Sequence, residues 1–254
     1  DLARSRGLGD VYKRQGFNHG VMNTDNMSIL GETFDYGPYA FMETYDPNYI
    51  CNHTDSHGRY SFSNQPSIAE WNCYALASAL IDLFSETELR DTLSKFNDYF
   101  YDSLIEKYRK KLGFISAQES DYDLILGLFE IMETEKLDYT NTFRELSKII
   151  SSSDNFKLSE KLSIWLTSYK DRLSKDENSI EESKILMDEN NPKYILRNYL
   201  AQSAIEDAEQ GRAEKIDELA KVLSNPYVDL GESMEKYCQP APKEQQNQQL
   251  SCSS

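Results

Sequence analysis

Near residue 66 the chain changes character, and that change limits the folds open to it. Residues 16–66 are rich in Gly, Asn, Asp, Tyr and Pro, and seven of the eleven glycines lie before residue 60. Such a stretch makes loops with short strand pieces, expected at Met27–Leu30 and, after a turn, at Thr33–Phe34. Beyond it, apolar residues recur with the helical period. Pro66 and Ser67 open a first helix with Leu76, Leu80, Leu83 and Phe84 on one face. Glu86 to Lys111 is a second, highly charged helical stretch. Residues 121–132 give a third, in which Leu124, Ile125, Leu128, Phe129 and Met132 span an arc of about 140°. Further helical segments are expected near 140–150, 158–174 and 193–223. Asn191-Pro192 starts the last of them, with Ile195, Leu196, Tyr199 and Leu200 as its stripe. The acidic runs around 129–138 and 176–189 read as solvated faces, and the Gln- and Pro-rich tail 237–254 as extended. The predicted class is mainly α, with a loop-rich block at 16–66 leading a helical block at 67–236.

Composition narrows the function. Lys and Arg number 27 against 43 Asp and Glu, a net charge of −16. A field of that sign repels phosphate backbones and argues against a general nucleic-acid partner. A nucleotide site stays open, because one metal ion reverses the local charge. A hydrophobic fraction of 39%, with 17 Tyr and 11 Phe, is too apolar for a disordered acidic chain. No stretch approaches the roughly 18 to 20 apolar residues of a membrane span, so no membrane partner is expected. Cys51, Cys73, Cys238 and Cys252 are too few and scattered for a disulfide scaffold. Cys51-x-His53-x-x-x-His57 shows no clear fourth ligand and argues weakly for zinc. Residues 1–15 have no Met start, no apolar leader and no natural continuity with the segment from Gly16, and are expected to be an artefact or a truncated start.

The chemistry concentrates in Gly16 to Pro38. Asp25 and Asn26 end one loop, and after a short apolar stretch Asp35 stands at a Tyr-Gly turn. A Met27–Phe34 hairpin would return its ends together, so that Asn26 and Asp35 face one point. A carboxylate and an amide oxygen are hard ligands suited to Mg²⁺, with water and phosphates completing the shell. Asp25 beside them can orient or deprotonate a hydroxyl nucleophile. His19 and Gly20 would brace the loop. This is the logic of a protein-kinase active site, where His…Asn is followed by Asp-x-Gly. The position two after His19, where a kinase keeps its catalytic Asp, is Val21. An ordinary kinase reading therefore fails at its base.

The run His19 to Gly31, followed by Asp35-Tyr36-Gly37-Pro38, closely resembles the selenoprotein O family. The likeness continues through Tyr45-Asp46-Pro47, Ile50 to His53, Gly58-Arg59-Tyr60, Gln65-Pro66 and Trp71-Asn72, and returns at Asn191 to Ala201. Cys252-Ser253-Ser254 is similar to the family's C-terminus, with Cys where some members carry selenocysteine. The resemblance implies a kinase-like fold and a protein adenylyltransferase, which moves AMP from ATP to Ser, Thr or Tyr hydroxyls of proteins. It implies Asp25 as proton acceptor, Asn26 and Asp35 as ligands of Mg²⁺ (or Mn²⁺), and Asp35 close to the nucleotide phosphates. It also implies a redox disulfide between Cys51 and Cys252, and a cytoplasmic location in bacteria or a mitochondrial one for eukaryotic relatives.

A complete member of that family has an N-lobe with a Gly-rich segment, a Lys–Glu pair and arginines on the phosphates, and none of these can be placed in 1–15. The chain is therefore expected to be a kinase-like C-lobe fragment without its N-lobe, inactive alone. The alternatives are a kinase-like phosphotransferase and a non-catalytic pseudokinase scaffold.

Overall fold

The computed structural model describes residues 14–30, 35–152 and 156–245. They are mainly helical, with one small two-stranded antiparallel sheet. They fall into two compact units: one holds the described residues up to Ala40 with Pro47–Ile105, the other Phe41–Asp46 with the described residues from Glu106 onward. The composition change near residue 66 lies inside the first unit.

In the first unit, β1 (Phe17–His19) pairs with β2 (Tyr39–Phe41), whose last residue belongs to the second unit. The expected strand at Met27–Leu30 does not form: Thr24–Asn26 is a single 3₁₀ turn and Ile29–Leu30 lies in another turn. Thr33 and Phe34 lie outside the described residues. Phe17 on β1 and Ala40 on β2 are both buried, so the sheet forms where side chains reach a core. Helix α1 (Gln65–Ala79) starts with Pro66 in its first turn, as expected. Its buried face is Gln65, Ile68, Ala69, Asn72 and Cys73. Leu76, Leu83 and Phe84 are 42%, 74% and 51% exposed, because the helix ends at Ala79 and the last two sit in the turns beyond it. The charged stretch from Glu86 is two helices, α2 (Glu86–Leu93) and α3 (Phe96–Lys111), broken at Ser94-Lys95. Ser85 and Glu88 form a capping box on α2. Leu93, Phe96, Phe100 and Leu104 are buried, with the Phe96 and Phe100 rings stacked 5.9 Å apart.

The second unit holds the end of α3 and helices α4 (Asp121–Glu135), α5 (Tyr139–Ser151), α6 (Glu160–Leu173), α7 (Ile180–Asn190), α8 (Asn198–Glu209) and α9 (Glu214–Leu223). Helix α5 packs on α7, and α4 on α6. The predicted 121–132 stripe holds: Ile125, Leu128 and Met132 are buried. Between α4 and α6, Trp165 Nε1 donates to Leu124 O at 2.9 Å, and the Trp165 and Tyr169 rings stack at 5.0 Å. Helix α7 falls in the acidic run read as a solvated face. Its signal is the Ser179…Glu182 capping box, and Ser183 and Met187 are its buried residues. The helix expected from Asn191-Pro192 starts only at Asn198, and residues 193–223 are two helices. The backbone N–H groups of Lys193 and Tyr194 both donate to Pro226 O, at 2.7 and 3.1 Å, which takes them out of any helical ladder.

Two buried arginines organise this unit. Arg172, stacked 4.3 Å from the Phe114 ring, donates to Asp121 at 2.6 Å, and Arg109 donates to the same carboxylate at 2.6 Å. Arg197 is fully buried and pairs with Glu43 and, at 2.9 Å, with Asp138. Glu43 sits on the Phe41–Asp46 segment, which bridges to the turn before α5: Tyr139 N donates to Glu43 O at 2.8 Å and Tyr45 N to Leu137 O at 2.9 Å. No helix among the described residues is long and apolar enough to cross a membrane.

Candidate functional site

The pairing of β1 with β2 makes residues 20–38 an excursion that leaves the sheet and returns to it. The Gly20 N–H donates to Pro38 O at 2.9 Å and closes the base. A Cβ on residue 20 would sit 2.4 Å from Pro38 O and 2.8 Å from both Asn52 Cβ and Cys51 Sγ, so only glycine fits. The Cys51 thiol points at Asn18 O and Pro38 O, at 3.3 and 3.4 Å. Asn52 Nδ2 donates to Gly20 O at 3.1 Å.

Buried amide side chains hold the rest of the frame. Gln65, from the first turn of α1, accepts from His19 N at 3.1 Å and donates to Phe17 O at 3.0 Å. Asn72, two turns further along α1, donates to Met22 O at 3.0 Å. Asn18 donates to Tyr49 O and Tyr60 O, at 3.3 and 3.1 Å. The Tyr60 hydroxyl donates to Asn23 Oδ1. His19 is buried, and its Nδ1 accepts from Val21 N at 3.3 Å. That acceptor role fits a bracing residue rather than a proton shuttle.

The sequence-predicted site residues ride on this frame. Asp25 is exposed in the Thr24–Asn26 turn, which is closed by Asn26 N donating to Asn23 O at 3.0 Å. Asn26 is half-buried, and its Nδ2 donates to Val21 O at 3.1 Å. The amide nitrogen is thereby fixed inward and the Oδ1 is left as an acceptor. Asp35 is exposed with φ 55°, a left-handed conformation that Asp tolerates better than most residues. A three-residue turn follows it, Gly37 N donating to Asp35 O at 2.8 Å. No described residue pairs with the carboxylates of Asp25 and Asp35 or with Asn26 Oδ1. Gly31–Phe34, between the two halves of the set, lie outside the described residues. Two carboxylates that no described residue pairs with and one anchored amide oxygen thus lie on the excursion between β1 and β2, and each is an oxygen donor of the hard kind.

Cys51 lies at the base of this loop, 6% exposed, while Cys252 lies outside the described residues. Among the described residues no group of three or more His, Cys, Asp and Glu is placed to hold a metal, which includes Cys51 with His53 and His57. Sequence reasoning picked the outward-facing residues and missed their holders, Asn18, Asn52, Gln65 and Asn72.

The chain matches the sequence model of the family described as "Protein adenylyltransferase SelO" over residues 6–224. It is 43% identical over 254 residues to "Protein nucleotidyltransferase YdiU" of Vibrio cholerae serotype O1, covering 96% of this chain and 52% of the relative. It is 41% identical over 264 residues to the protein of that name from Vibrio vulnificus strain YJ016, covering 100% of this chain and 54% of the relative. For the Pseudomonas fluorescens Pf0-1 protein of that name the identity is 42% over 250 residues, with 96% and 51% covered. The chain spans about half the length of the curated relatives it matches.

Proposed function

The chain belongs to the protein adenylyltransferase SelO family, and on that premise we propose that it supplies the proton acceptor and metal side of an AMP-transfer site on a kinase-like helical C-lobe. The substrates are ATP and protein hydroxyls of Ser, Thr or Tyr. The observation that carries this reading is the closed 20–38 loop, with the oxygens of Asp25, Asn26 and Asp35 unclaimed by any described residue.

Asp25 takes the proton of the attacking hydroxyl. The hydroxyl oxygen forms its bond to the α-phosphorus of ATP as the bond to pyrophosphate breaks, and the proton passes from Asp25 to solvent. Asn26 and Asp35 would hold the divalent cation, Mg²⁺ or Mn²⁺, and that ion when bound offsets negative charge on the phosphate oxygens being separated. The Val21 carbonyl keeps the Asn26 amide turned for this task, and Asn72 holds the neighbouring backbone at Met22.

Transfer is tested with ATP labelled on the α- or the γ-phosphate, in protein extended to the relatives' length. Label from the α-phosphate alone is expected on the acceptor protein, and Asp35→Ala is expected to abolish it. Transfer of the γ-label identifies a kinase instead. An Asp35→Ala protein that retains all its partner binding and shows no transfer in either form points to a scaffold. The 254-residue chain by itself is expected to transfer little, because it spans about half the length of the curated relatives it matches. Turnover equal to that of the longer protein overturns this.

A further inference from the structure

From the packing around Arg59 we infer that this residue is an anion receptor for the acceptor protein, favouring hydroxyls flanked by a carboxylate. The inference rests on the reading of the 20–38 loop as the transfer site, and it names the substrate feature selected there.

The Arg59 guanidinium lies over two aromatic rings, 5.0 Å from the Trp71 centroid and 5.6 Å from that of Tyr60. A guanidinium held over ring faces is restrained there by the ring quadrupoles and keeps its N–H donors available to an anion. The nearest acid in sequence, Asp55, is already committed: its two oxygens accept the backbone N–H groups of Arg59 and Tyr60, at 2.9 and 2.8 Å. No described carboxylate pairs with the guanidinium, although the chain carries 43 acidic residues against 27 basic ones. Arg59 is exposed, so the open fork faces solvent.

Both rings are tied to the candidate loop. The Tyr60 hydroxyl holds Asn23, two residues before Asp25. Trp71 precedes Asn72, which holds Met22 at 3.0 Å. The stacked arginine is thus anchored to the end of the loop that bears the proton acceptor, where the protein hydroxyl must arrive, and not to the Asp35 turn. A net charge of −16 disfavours acidic partners, and one preorganised guanidinium beside the acceptor position offsets that locally. A bidentate pair with a Glu or Asp side chain is the ligand that the fork fits best.

The test reads peptide binding to the 254-residue chain by NMR, without ATP. It follows the Trp71 indole and Arg59 Nε–H signals during titration with a Tyr-containing peptide flanked by Glu, and with the same peptide carrying Gln instead. In the unsubstituted chain the Glu peptide is expected to bind about fivefold tighter, the range of an exposed, well-aligned ion pair. Arg59→Ala and Arg59→Gln should both erase that preference, and Arg59→Lys should keep part of it. Unchanged backbone amide shifts of Gly20 and Val21 in the free Arg59→Gln protein show that the loop has kept its fold. Equal affinity for both peptides overturns the inference, as does a preference that survives Arg59→Ala. Mg²⁺-ATP binding that weakens in Arg59→Ala also overturns it, since the arginine then serves the nucleotide. A parallel Mn²⁺ titration separates the two readings. Unchanged Mn²⁺ affinity in Asp35→Ala sinks the transfer site, while loss of the Arg59 effect alone sinks only this inference.

Discussion

One methyl group at position 20 would meet three atoms at once, one of them the backbone carbonyl that closes the loop. Gly20→Ala is therefore expected to lose about 1–3 kcal/mol of stability, in the range of an overpacked interior. Denaturant unfolding of the two proteins side by side checks this, and equal midpoints would mean that the loop base is more yielding than its contacts imply. At this scale the sequence was readable for residues that face outward. Asp25, Asn26 and Asp35 stand out because carboxylates and amides in a Gly-rich loop have few uses other than turns and ligands. Gln65 and Asn72 did not stand out, because the groups they satisfy, on Phe17, His19 and Met22, come from 48, 46 and 50 residues away in the chain. Only tertiary structure creates that need.

Helix ends show the same division between local and distant causes. Ser179 accepts from Glu182 N and forms a full capping box, whereas Ser120, at the corresponding place before α4, makes no side-chain cap. Ser179→Ala should cost about 1 kcal/mol and Ser120→Ala almost nothing. Thermal melts of both variants settle the contrast, and equal losses would deny the cap its role. Helices α4, α5 and α6 were legible from apolar periodicity alone. Helix α7 was not, since its charged stripe hid a cap that is itself a local signal. The segment from Asn191 to Arg197 misled for a distant reason. Its Pro192 and apolar residues look like a helix start, but Asn191 Nδ2 is drawn to Lys111 O at 2.8 Å and the following backbone to Pro226.

Across the whole molecule, excess acid is tolerable because the interior carboxylates are matched to cations. Burial pushes the Asp176 carboxyl up, but hydrogen bonds from Ser116, Ile115 and Arg172 together outweigh it and hold the group below its ordinary value. Asp121 follows the same pattern, with burial opposed by Arg172, Gln118 and Arg109. A carboxylate whose folded pKa is depressed lends stability above its unfolded value, near ~3.9, and loses it as the pH falls through the lower folded one. Melting temperature should therefore fall steeply below about pH 4, and less steeply in Asp176→Asn. A profile flat down to pH 2 would remove the matched interior as the cause.

Glu43 has a consequence for how such a chain is made. Its carboxylate receives Arg197 and, at 3.3 Å, the backbone N–H of Ala241, which is synthesised 198 residues later. At about 5–20 residues per second, a ribosome delivers that last donor roughly 10–40 s after Glu43 has emerged. Arg197 emerges before it, 154 residues after Glu43, so the second unit closes on its Phe41–Asp46 segment in two steps, first through the guanidinium and then through the backbone N–H.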